Sequence, residues 1–135
     1  MAMYKERNMS EQDNRMVLCG ASKYTKKFYI NPEFENLPDP IKRELKIMCV
    51  LFTEDIGGAL ELLFSEEGDV EIRTITNEDD YAYDDIGSEY KIRQMRKEKQ
   101  ELFQSLKLYY RVVKLGISAE QAVAELERGF EEDDE

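Results

Sequence analysis

Between residues 88 and 115 the apolar positions Ile92, Met95, Leu102, Leu106, Tyr109 and Val113 return at steps of three, four or seven. Such steps describe one face of an α-helix and predict a single continuous helix, about 42 Å long at the usual helical rise, with Ser88 as its N-cap. Only Lys99 interrupts the apolar face, and a lysine stem can lie along apolar surface while its ammonium stays in water. On the opposite side Arg93, Arg96, Gln100, Gln104, Lys107, Arg111 and Lys114 also recur every three or four residues. The helix is therefore expected to carry an apolar flank and a ridge of cations and amides without a carboxylate. The apolar flank reads as heptads with one polar position, so a homodimer that buries part of it is a further expectation.

The rest of the chain divides by period in the same way. Residues 16–19 and 26–30 are short apolar and aromatic runs separated by Gly20-Ala21-Ser22, which reads as a hairpin. Three prolines between 31 and 40 mark a loop, and Asp39-Pro40 offers an N-cap followed by proline at the first helical position. Ile41, Leu45, Met48, Cys49, Phe52 and Ile56 then step at three and four. Because Ile47, Val50 and Leu51 widen that stripe, the second half of this helix is expected to be buried on nearly all sides, as the central core helix. Gly57-Gly58 ends it. Residues 59–65 alternate with Leu60, Leu62 and Phe64 on one face, residues 66–69 form a turn, and 70–76 alternate again, a second hairpin. After the long helix, Ser118 and Gln121 have capping-box spacing, Ile117 and Ala122 can form a hydrophobic staple, and Ala122, Val123, Leu126 and Phe130 give a last helix its apolar stripe. The predicted fold is α+β: two β-hairpins in a four-stranded antiparallel sheet, covered on one face by the core helix and the long helix, plus a short terminal helix. Residues 1–14 are expected to be a flexible tail, 15–130 a single domain and 131–135 a disordered acidic tail. Met9-Ser10-Glu11 reads as an alternative start, which leaves open whether residues 1–8 belong to the native chain.

Composition adds limits. Apolar residues make up 41% and charged residues 36% of the 135, a globular balance with a highly charged surface. The longest apolar run, 47–52, is far shorter than the ~20 residues of a membrane span, and no signal-peptide segment is evident, so a cytoplasmic protein without membrane contact is expected. Cys19 and Cys49 each stand in apolar surroundings, as buried reduced thiols do. The net charge of −11 is unevenly spread: +2 over residues 1–50, −12 over 51–90, +6 over 91–116 and −7 over 117–135. An overall negative field argues against nucleic acid as the main partner.

Candidate chemistry is sparse. The chain has no histidine, which removes His-activated nucleophiles and histidine metal sites, and none of the phosphate-cradling or nucleophile-elbow motifs occurs. No enzymatic activity and no cofactor are expected. In the acidic loop 77–85, Asp79, Asp80, Asp84 and Asp85 are weak candidates for a cation site. An EF-hand loop begun at Asp80 would need an acid where Ala82 stands and glycine where Asp85 stands, and it fails. The basic ridge, through Arg93, Arg96, Lys107, Arg111 and Lys114, has three readings: a solvated face, internal pairing with the 77–85 loop or the acidic tail, or a docking surface for a protein, a second copy or RNA. The reading taken is a non-enzymatic protein-interaction module acting through the ridge. A small-molecule or cation-binding module using the 77–85 loop stands behind it, and an RNA-associated factor is third.

Five stretches carry a resemblance: Val17-Leu18-Cys19-Gly20-Ala21, Tyr29-Ile30-Asn31-Pro32-Glu33-Phe34, 47–54, Tyr83-Asp84-Asp85-Ile86-Gly87, and 101–103 with 108–110. Together they resemble a family of small uncharacterised cytoplasmic proteins of clostridial gut bacteria, over about residues 10–115, with the last helix and acidic tail outside it. No activity is assigned to that family, so the resemblance implies no site, substrate or cofactor.

Overall fold

In the computed structural model, which describes residues 15–133, two hairpins join into one antiparallel sheet of order β2-β1-β3-β4. The strands are β1 (Met16–Ser22), β2 (Lys27–Ile30), β3 (Ala59–Phe64) and β4 (Val70–Ile75). The fold class is α+β, as the periodicities predict. Gly20-Ala21-Ser22, expected to interrupt the first hairpin, instead continue β1, where they pair with β2 on one side and β3 on the other. A bulge between Val17 and Cys19 lets two consecutive residues, Leu18 and Cys19, be fully buried. On β3 the alternation works as expected: Leu60, Leu62 and Phe64 all point into the core and are wholly buried.

A 3-10 turn (Pro32–Phe34) leads to helix α1 (Asp39–Ile56), which covers that inner face. Pro38, rather than Asp39, holds the N-cap position, and its carbonyl accepts the first helical bond, from the Lys42 N–H at 3.0 Å. The core side of α1 presents Leu45, Met48, Cys49, Phe52 and Ile56. Its outer side departs from expectation. Ile47 and Leu51 are 51% and 57% exposed, because the sheet and the following helices meet only one flank of α1.

The expected rod is divided. Helix α2 (Asp85–Glu98) begins three residues before Ser88, capped by Asp84, whose Oδ1 accepts the Gly87 N–H at 2.8 Å. Ser88 is buried and accepts the Tyr83 hydroxyl proton at 2.7 Å. At Lys99 the backbone turns to φ −105°, ψ 24°, and helix α3 (Gln100–Tyr109) starts anew. Bonds from the Lys99 N–H to Met95 O (2.8 Å) and from the Phe103 N–H to Lys99 O (2.9 Å) still cross the break, so it is a bend rather than a loop. It has a packing reason: Met95 rests beside α1, whereas Leu102, Leu106 and Tyr110 must reach the core over the sheet, and one straight axis does not serve both. Lys99 also ties across to α1, with its ammonium 3.1 Å from Glu44. Past Tyr109 a π-turn (Tyr110–Lys114) widens the coil, with the Leu115 N–H bonded to Tyr110 O at 3.1 Å.

Helix α4 (Ala119–Asp133) follows Gly116. Ser118 Oγ accepts the Gln121 N–H at 3.2 Å, and Ala122, the expected staple residue, is buried. This helix runs through Asp133, into the acidic run expected to be disordered. The expected N-terminal tail (1–14), residues 134–135 and the side chains of residues 130–133 lie outside the described residues.

Candidate functional site

The ridge residues are placed by α2, α3 and the π-turn, and most have partners within the chain. Lys107 Nζ lies 2.8 Å from Asp69, in the turn between β3 and β4. Arg111 donates from Nε to Glu125 on α4 and from a terminal nitrogen to the Glu67 carbonyl, both at 2.9 Å. Lys114 reaches Glu33 at 2.9 Å, and its ammonium sits 5.1 Å from the centre of the Phe34 ring, a cation–π distance. Arg96 donates to the Val70 carbonyl at 3.3 Å. Arg93 is exposed, with no hydrogen bond or ion pair among the described residues. Internal pairing therefore occurs, with acids other than those of the 77–85 loop: Glu33, Asp69 and Glu125 serve, while the side chains of the acidic tail, the other expected partner, lie outside the described residues. Glu125, four residues after Gln121 on the last helix, carries no signal in the sequence that would assign it to Arg111. These pairs are partly solvated and each contributes only ~0.2–1 kcal/mol, so they fix geometry more than stability.

Their geometry shapes a cleft of about 740 Å³ between α3, α4 and the β3–β4 turn. Arg96, Lys107 and Arg111 line it from the ridge and Arg128 from α4, together with the acids Glu67, Asp69 and Glu125. Gln100 and Gln104 lie one helical turn apart on the α3 wall, with Phe103, Leu108 and Leu126 supplying apolar surface. Neither amide, nor Arg128, has a hydrogen bond or ion pair among the described residues. The volume is in the range of ligand-binding clefts.

In the acidic loop, Asp80 and Asp84 hold the chain's own geometry. Tyr24 in the β1–β2 turn accepts the Asn77 N–H at 3.0 Å and donates to Asp80, which also accepts the Ala82 N–H at 3.1 Å. Asp84 caps α2, Asp85 stands in the first turn of that helix, and Asp79 is exposed. No group of three or more potential metal-ligating side chains occurs among the described residues.

Two further polar arrangements join residues distant in the sequence, the second of them between the two cysteines expected to be buried reduced thiols. On the outer sheet face the Tyr29 hydroxyl donates to Glu61 at 2.6 Å, and Arg73 donates to the same carboxylate from Nε at 3.0 Å. Burial, and then the hydrogen bond to Glu61, push the Tyr29 hydroxyl well above its ordinary pKa, so it is held protonated as a donor. Inside the core the Cys19 and Cys49 sulfurs lie 4.0 Å apart, both as free thiols. Their mutual hydrogen bond, and then burial, raise the Cys19 thiol far above the usual range, which suits a packing role rather than a nucleophile.

Among the described residues no helix is long and apolar enough to cross a membrane. Residues 15–118 match a family of unknown function, DUF6145, and the chain belongs to that family. The match covers the sheet, α1, α2, α3 and the π-turn and ends at the cap of α4. Neither the curated proteins nor the solved structures contain a match.

Proposed function

We propose that this member of the DUF6145 family is a non-enzymatic, cytoplasmic protein-interaction module whose α3–α4 cleft seats an extended, carboxylate-bearing segment of a partner protein. One observation carries the reading: Gln100, Gln104 and Arg128 line a cleft of mixed polar and apolar surface with their hydrogen-bonding groups unengaged among the described residues. Amides one turn apart offer donors and acceptors to an extended backbone, and the guanidinium of Arg128 suits a carboxylate in two-pronged geometry. Four cations face three acids in the lining described, so the cleft is locally positive by one charge although the chain carries −11. A short segment with one or two carboxylates is attracted at that range, whereas a polyanion meets the field of the whole molecule. Three of the four cations are already engaged with acids or carbonyls, which weakens the case for RNA further.

Site-specific photocrosslinking in cells tests this. A photoreactive residue at position 104 is expected to trap a protein, and the adduct should vanish when Arg128→Glu is added. The same probe at Lys27, exposed on β2, should not trap it. No adduct at 104, or identical adducts at both positions, overturns the reading. A small metabolite that raises the melting temperature of the wild type and not of Arg128→Glu transfers the cleft to small-molecule binding.

A further inference from the structure

We propose that the outer ridge of α1 pairs antiparallel with the same ridge of a second copy, making the protein a two-fold homodimer. Arg43, Ile47, Leu51 and Asp55 stand four residues apart and form one i+4 row on the exposed side of α1. Such rows are the ridges that interdigitate when two helices cross. The two aliphatic members are about half exposed, and beside them runs a groove of about 610 Å³ between α1 and α2, closed underneath by the buried Met48, Phe52 and Met95. Contiguous apolar surface rimmed by charge marks a contact site.

The order of residues along the row names the occupant. A two-fold axis midway between Ile47 and Leu51 lays Ile47 of one copy on Leu51 of the other, twice. The same operation lays Arg43 on Asp55, also twice, because both pairs are centred on position 49. The row is thus complementary to itself in the antiparallel sense, as an isologous interface requires. A parallel pairing would set Arg43 on Arg43 and Asp55 on Asp55, so charge selects the orientation. Arg43 has no hydrogen bond or ion pair among the described residues and is available. Asp55 is bound on one side only, by Lys91 at 3.0 Å, and has room for a second cation. Antiparallel helix dipoles act in the same direction. The groove shares no lining residue with the α3–α4 cleft, so either proposal can fail alone.

Sedimentation velocity of the full chain over a concentration series is the test. The wild type is expected to show a reversible monomer–dimer equilibrium, and Leu51→Glu to be monomeric. Arg43→Asp and Asp55→Arg should each weaken the dimer at least about tenfold, and the double variant should recover most of that loss, since it re-forms the pair with the signs exchanged. Because Leu51 is half exposed within one chain, Leu51→Glu should leave helix content unchanged, which separates lost pairing from lost folding. A wild type that stays monomeric at about 100 μM overturns the proposal. So does a dimer of unchanged affinity in Leu51→Glu, which would place the contact elsewhere, and so does failure of the double variant to recover.

Discussion

Phe64 is the side chain on which α3 and the π-turn are hung over the sheet. It is fully buried, with the Phe34 ring at 5.2 Å between centroids and the Tyr110 ring at 4.6 Å, the latter stacked at 30°. Phe64→Ala would cost about 3–5 kcal/mol, a large part of the 5–15 kcal/mol typical of a domain, and would report mostly on unfolding. Phe64→Leu is the sharper perturbation: it keeps most of the apolar volume and removes two ring–ring contacts, each contributing about 0.5–1.5 kcal/mol beyond area. The expected loss is thus about 1–3 kcal/mol by urea denaturation at unchanged m-value. A double-mutant cycle with Tyr110→Leu should isolate a coupling of about 1 kcal/mol. Phe28→Leu is the reference, since Phe28 is only partly buried on the edge strand β2 and has no ring partner among the described residues; it should cost less than about 1 kcal/mol. The reasoning fails if Phe64→Leu is no more destabilising than Phe28→Leu, or if the cycle shows coupling within the ~0.3 kcal/mol of plain additivity. The outcome bears on function, because Tyr110 opens the turn that carries Arg111 to the cleft.

Two further outcomes follow from local geometry. Gly58 and Gly116 both hold positive φ, 67° and 73°, but a Cβ on Gly58 would stand 2.9 Å from the Ile75 carbonyl and the Tyr83 ring, whereas one on Gly116 meets nothing within 4 Å. Gly116→Ala should cost about 1–2 kcal/mol from conformation alone and Gly58→Ala clearly more, as read by thermal or urea unfolding. For Tyr29, a folded-state pKa raised above the unfolded value means that its contribution is intact below about pH 10 and is lost as pH rises beyond it. Ultraviolet titration should therefore show one late-ionising tyrosine that is absent in Tyr29→Phe and ionises earlier in Glu61→Gln. A Tyr29→Phe curve identical to wild type would refute the assignment.

The second hairpin, the existence of the first and the core side of α1 were legible because each is a local matter, whereas the extent of β1 through Ser22 and its bulge were not. Period two through Leu60, Leu62 and Phe64, and period three to four through Leu45, Cys49, Phe52 and Ile56, name the buried face whatever that face packs against. The cleft was half legible: the ridge from Arg96 to Arg111 was visible as a pattern, but not that Arg111 would meet Glu125 across the cleft or that Lys107 would meet Asp69. Such partners are chosen by how the chain closes, over separations that no local period records. The bend at Lys99 was hidden for a related reason. Period describes which side of a helix is apolar and is silent on its axis, and the axis turned because the two halves face different supports, α1 and the sheet.

What the sequence determined by itself is thus the two hairpins, the helical segments that follow them, the core side of α1 and an α+β class, all consequences of interactions within a few residues. Tertiary structure alone decided the strand order, the division of the long helix and the partners of its cations. It also decided that Ile47 and Leu51, read as interior, stand outside. An apolar stripe records that a surface avoids water, and only the packed molecule shows whether its own chain provides the cover.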